Sequence, residues 1–183
     1  MAKLISKTYG DALFEIATEK QDPARVDSLY EEVRSLKEIL AQNPDFSRLM
    51  NHPKLPKEEK VKLAEDVFSG RLDEDVLGLL RIVISNDRYA EIDSILDYFI
   101  DSVKEYKGIG VAFVTTPAEL SEAQKKAVQE KLLATTRYSS MEMNYQTDES
   151  LIGGMVIRIG DRVVDSSIRS RLESLRKSLM SGR

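Results

Sequence analysis

Apolar residues recur at helical spacing through the first hundred positions, and at strand spacing in much of the remainder. Val26, Leu29, Val33, Leu36 and Leu40 fall on one stripe of a helix. Asp22-Pro23 opens it, with proline at the first helical position, and Asn43-Pro44 stops it. Before it, a first helix is expected from a Ser6 cap to about Lys20. Tyr9, Ala12, Leu13 and Ile16 lie on one of its sides, and Gly10, Phe14 and Ala17 on another. Either both sides pack inside a bundle, or the glycine–alanine side seats a helix from another chain. A short turn of helix over residues 45–50 is expected to centre on Phe46 and Leu49. A helix over 57–69 follows, burying Val61, Ala64, Val67 and Phe68, with Gly70 just past its end. Asp73-Glu74-Asp75 starts a fifth helix, where acids favour the helix dipole. Its run from Val76 to Ile84 is apolar nearly all round, so it lies centrally or has a face covered by a partner. A sixth helix over 89–106 carries Ile92, Ile95, Leu96, Phe99, Val103 and Tyr106.

Lys107-Gly108-Ile109-Gly110 ends the helical pattern. Val111 to Thr116 is β-branched and aromatic enough for a strand, and Pro117 closes it. Ser121 and Gln124 match a capping box for a helix reaching about Ala134. Met141, Met143 and Tyr145 alternate with polar residues, the period of a strand with one buried face. Thr147 to Ser150 is turn chemistry. A second strand is expected to begin at Ile152, with Met155, Ile157 and Ile159 on one face. Gly160-Asp161 then forms a hairpin into Arg162-Val163-Val164. Asp165 or Ser166 is expected to cap a last helix with Ile168, Leu172, Leu175 and Leu179 in one stripe. The expected fold is α+β: an all-α six-helix bundle over 1–107, then a small α/β domain over 108–183.

Composition narrows the chemistry. The absence of cysteine excludes disulfides and thiolate catalysis and suits a reducing cytoplasm. No apolar run approaches the ~20 residues that span a bilayer, and the first residues lack a signal-peptide core. Residues 1–107 carry 16 Lys/Arg against 22 Asp/Glu, whereas residues 158–183 carry 7 against 3. The acidic first half argues against nucleic acid there, and the basic tail needs its own explanation.

Candidate catalytic groups do not assemble in the sequence. His52 is the sole histidine and sits in an expected loop between Asn51 and Pro53. Gly108-Ile109-Gly110 lacks the third glycine and the helix that phosphate binding needs, and no P-loop pattern occurs. Asp148, Glu149, Asp161 and Asp165 are explained by turns and caps more simply than by acid–base work.

One stretch is specific. Met141, Met143, Thr147, Asp148, Leu151, the Gly153-Gly154 pair, Met155, Ile157, Arg158 and Gly160 stand in a fixed order. Asp161, Asp165, Ile168, Arg169 and Leu172 continue it. This window resembles the signature of the delta subunits of bacterial F-type ATP synthase, relatives of the mitochondrial oligomycin-sensitivity-conferring protein. The opening Tyr9-Gly10-Asp11-Ala12-Leu13-Phe14 and the length of 183 residues fit as well. The resemblance implies a non-catalytic stator subunit on the cytoplasmic face of a bacterial cell membrane, peripheral and held there only through the complex. It implies that the helical half binds N-terminal helices of alpha subunits, and that the second half holds the ends of the b subunits of the peripheral stalk. Proton-driven rotation would thereby be coupled to ATP synthesis. No cofactor, metal, small-molecule substrate or nucleic acid is expected.

Two surfaces are expected to do this work. The first is an alpha-subunit groove from Gly10, Phe14 and Ala17 of the first helix and Leu79, Ile82 and Val83 of the fifth. The second is a b-subunit dock from Ile168, Arg169, Leu172, Leu175, Arg176 and Leu179. The competing reading is an independent regulatory or nucleic-acid-binding protein that uses the basic last helix.

Overall fold

A computed structural model describes residues 2–19 and 22–181. Among the described residues the fold is α+β: eight α-helices, with one mixed four-stranded sheet in the C-terminal region. The chain divides into two compact units, the first ending at Lys104 and the second beginning at Glu105.

The first unit holds α1 (Ala2–Glu19), α2 (Pro23–Gln42), α3 (Pro44–Met50), α4 (Lys57–Phe68), α5 (Glu74–Ser85) and most of α6 (Ile92–Tyr106). A 3-10 turn over Tyr89–Glu91 leads into α6. All five apolar residues of the α2 stripe are buried, and the Asp22 side chain caps the helix by accepting from the Ala24 amide. α5 buries Val76, Leu77, Leu79, Leu80, Val83 and Ile84. The Arg25 guanidinium reaches the Asp73 and Asp75 carboxylates, tying α2 to the first turn of α5. Phe46 meets Phe68 and Tyr89 edge-on, which closes the end formed by α3, α4 and the 3-10 turn.

Several expectations for this unit are corrected. Ser6 is not a cap. It lies buried inside α1, which is already helical at Ala2, and the expected end at Lys20 falls outside the described residues. On α3 the buried residue is Met50, whereas Leu49 faces out. Val67 on α4 is exposed, because the wall towards the core is built by Lys60, Ala64 and Phe68, one turn apart. Tyr106 is exposed at the end of α6, where Ile100 contributes a buried residue instead.

The second unit contains β1 (Ile109–Thr116), α7 (Glu122–Thr135), β2 (Ser140–Thr147), β3 (Val156–Ile159), β4 (Arg162–Asp165) and α8 (Ile168–Ser181). The strand order is β2-β1-β3-β4. β1 and β2 are parallel, so their connection must cross over, and α7 is that crossover. β3 is antiparallel to both β1 and β4. Ser121 and Gln124 form the expected capping box. Gly110, Ala112, Val114 and Thr116 alternate inward along β1.

Two corrections fall here. Ile152 does not enter a strand: Glu149–Leu151 is a 3-10 turn, Ile152 has φ +66°, and β3 begins at Val156. The cap of α8 is Ser167, whose Oγ accepts from the Ser170 amide at 3.2 Å. Asp165 stands one step earlier. Its carboxylate accepts from the Ser167 amide at 2.8 Å and from the Ser170 hydroxyl.

Candidate protein-binding surfaces

The last helix displays an open apolar stripe. Ile168, Leu172, Leu175 and Leu179 share one face of α8 at 43, 52, 60 and 79% exposure. At about 100° per residue, Arg169 and Arg176 flank this face on one side and Arg171 on the other. A 14-residue helix gains little from its own hydrogen bonds in water, so covering this stripe is the main stabilisation open to it.

What fixes α8 is its N-terminal end, and the residues that do so are those of the sequence signature. Asp148 Oδ1 accepts from the Ser150 amide at 2.9 Å and sets the 3-10 turn that buries Leu151. A Cβ on Gly153 would stand 2.5 Å from Ile168 Cδ1, so a side chain there would push the end of the Ile168 side chain aside. The Gly153 carbonyl accepts from the Ile168 amide at 3.0 Å. Gly154 has φ +79°, and a Cβ on it would meet the Ser166 carbonyl oxygen at 2.4 Å. Arg169 Nη1 donates to Ser150 Oγ at 3.1 Å, and its Nε lies 3.6 Å from Glu173. Arg169 therefore holds the turn as well as flanking the stripe.

The rest of the signature builds the sheet beneath. Met141 is buried on β2 and Met143 half-buried, with Gln129 of α7 donating to the Met141 carbonyl. Ile157 pairs with Val114 and Val164 across the sheet. The Arg158 guanidinium sits 4.7 Å from the Phe113 ring centroid on the opposite face. Gly160 supplies the positive φ of the β3–β4 hairpin. Hydrogen bonds from Ser150 hold the Asp148 carboxyl below its ordinary range, and those from Ser170 and Ser167 do the same for Asp165. Both acids serve as ionised acceptors in this mount.

The groove expected between α1 and α5 is arranged differently. Gly10, Ala17, Leu79 and Val83 are core residues of the first unit. A Cβ on Gly10 would stand 2.4 Å from the Tyr98 ring, so the small side of α1 receives the protein's own α6. Phe14 is half-buried against the same core. Of the six groove candidates, Ile82 alone is exposed, at 53%. The more open side of α1 is the other one: Ala12 and Ile16 are exposed and Tyr9 is half-buried. The Asn86 amide donates to Tyr9 Oη at 3.0 Å, which brings this side to the end of α5. One turn before Ile82, a Cβ on Gly78 would meet nothing within 4 Å. Tyr9, Ala12 and Ile16, with Gly78 and Ile82, are thus the apolar surface that α1 and α5 offer. The spacing of Ser6, Gly10, Leu13 and Ala17, a continuous stripe of small residues around one leucine, was the signal for the inward side.

His52 is exposed in its loop, where its Nδ1 accepts from the Lys54 amide at 3.2 Å. Among the described residues no His, Cys, Asp and Glu group is placed to hold a metal, and no helix is long and apolar enough to cross a membrane.

Residues 5–179 match the family model described as the ATP synthase delta (OSCP) subunit. The chain is 51% identical over 179 residues to "ATP synthase subunit delta" of Lachnoclostridium phytofermentans, covering 98% of this chain and 97% of the relative. It is 34% identical to the protein of the same name from Natranaerobius thermophilus, covering 96% of each. A chain in the cryo-EM structure of the Toxoplasma gondii mitochondrial ATP synthase hexamer shares the fold, with a TM-score of 0.76 at 20% identity over 96% of this chain and 97% of that one.

Proposed function

The chain belongs to the ATP synthase delta (OSCP) subunit family, and from that premise we propose that it is a stator subunit joined to a different partner through each of its two units. In this reading the six helices of the first unit act as one bundle that binds N-terminal helices of alpha subunits at the catalytic head. The second unit holds the ends of the b subunits, so that rotation driven by proton flow turns the rotor and not the head. The protein does no chemistry of its own. It works on the cytoplasmic face of the membrane and reaches the membrane through the complex.

The observation that carries the reading is the family match along almost the whole chain, which gives no support to a nucleic-acid-binding protein. Two surfaces support the finer assignments. The α8 stripe is apolar, open and flanked by arginines, as a dock for an amphipathic helix with acidic margins requires. The Tyr9, Ala12, Ile16 and Ile82 surface supports an alpha-subunit site on α1 and α5, with the buried Gly10, Ala17, Leu79 and Val83 shaping it from beneath. Affinity purification of the tagged chain from detergent-solubilised membranes tests both ends. Alpha and b subunits are expected together, and recovery of neither would sink the reading.

A further inference from the structure

The Ile152 backbone is the strained point of the second unit. It has φ +66° and ψ −40°, and the Gly153 amide donates to the Leu151 carbonyl at 2.7 Å. These are the marks of a γ-turn with positive φ, a rare conformation that costs energy even before side chains are considered. A β-branched residue is among the worst suited to it, because its Cβ substituents crowd the backbone. Burial usually offsets such strain, yet Ile152 is 66% exposed. The turn is also held firmly on both sides. Leu151 is buried before it, and after it the Gly153 carbonyl accepts from the Ile168 amide while the Gly154 backbone passes close to the Ser166 carbonyl. The fold thus spends stability to keep an isoleucine in water, close to the start of the open α8 stripe.

We propose that Ile152 is an anchor of the α8 dock, and that its strained turn presents it to the apolar face of a helix from the b subunits. The occupant is the one the proposed function names, and charge matches it. Arg169, Arg171 and Arg176 flank the stripe, and residues 158–183 are basic by 7 to 3. An apolar helix face with acidic margins complements this surface, whereas a basic one is repelled. The inference rests on the proposed function and adds to it a contact from outside the helix, which fixes where along α8 the partner ends.

The test measures binding of the full chain to the soluble portion of the b subunits. Three variants are compared with wild type: Ile152→Gly, Ile152→Ala and Leu172→Asp. Glycine relieves the turn, so Ile152→Gly should melt at the wild-type temperature or above while binding roughly tenfold more weakly. Ile152→Ala keeps the strained Cβ and should lose affinity similarly. Wild-type affinity in both Ile152 variants, with binding abolished by Leu172→Asp, would overturn the anchor and leave the dock standing. Wild-type affinity in all three would remove the dock as well. Loss in Ile152→Ala alone would mean that the residue only shapes the turn, and this also overturns the proposal.

Discussion

At the scale of single residues, Glu32 and Gly154 show how differently two sensitive positions respond. The Glu32 carboxylate accepts from the Asp73 amide at the start of α5. Desolvation by burial, with the neighbouring Asp73 charge, still pushes its pKa above the ordinary glutamate value. A carboxyl raised on folding lowers stability when ionised, so that loss is present at neutral pH and fades as pH falls through the raised value. Glu32→Gln keeps the acceptor and removes the charge. It should therefore be at least as stable as wild type at pH 7, with the difference shrinking on acidification through the carboxylate range. Urea unfolding at pH 7 and near pH 4 checks this, and a variant less stable at both would contradict it. Gly154 leaves no such latitude. Its positive φ and the Ser166 carbonyl 2.4 Å from any added Cβ mean that backbone must move. Gly154→Ala should cost about 2–3 kcal/mol and detach the start of α8, measurable as a lowered unfolding midpoint of the second unit and weaker b-subunit binding.

At the scale of elements, α8 is held at one end and open along its length. Its Ser167 cap and the seat on Gly153 fix the first turn, and beyond Leu172 the exposed stripe has no described cover. Amides over residues 174–181 should therefore exchange fast in the isolated protein and slowly in the complex with b subunits, read by hydrogen-exchange mass spectrometry. Equal, strong protection in both states would show that the helix needs no partner. The contrast with α2 explains what could be read from sequence. α2 has one apolar stripe, a capping Asp22 and a stop at Asn43-Pro44, and every position it was expected to bury is buried. α1 carries two apolar sides of similar width. Apolar periodicity alone leaves both sides open; the small residues Ser6, Gly10 and Ala17 around Leu13 mark the inward one, and Tyr98, far away in sequence, fills the space above Gly10. The expected strand through Ile152 failed for a related reason. Alternating apolar residues suggested extended backbone, whereas the pair of glycines bends the chain to receive Ile168, a contact set by tertiary packing. The α8 stripe was legible because exposure does not alter helical spacing. The mount beneath it was legible only as a fixed order of residues whose shared purpose needed coordinates.

At the scale of the whole molecule, attachment at two ends is a mechanical requirement. A stator that loses either end lets the head turn with the rotor, so the chemistry continues while its coupling to proton flow is lost. Ile82 offers the cleanest interruption of the proposed head contact, since it is exposed on α5 while its neighbours Leu79 and Val83 make the core. Ile82→Asp should leave the bundle folded, because the new charge stays in water. Placed within an apolar contact, the same charge is desolvated without a partner, at a cost of roughly 2–4 kcal/mol, or about thirty- to a thousandfold in affinity. Membranes carrying Ile82→Asp should retain ATP hydrolysis by the head but lose much of their ATP-driven proton pumping and ATP synthesis. The purified variant should fail to bind an alpha-subunit N-terminal peptide and still bind b subunits, because the two surfaces belong to separate compact units. Pumping and peptide binding at wild-type levels would place the head contact elsewhere than on α5. Loss of both partners at once, with helicity unchanged by circular dichroism, would show that the two units do not bind independently.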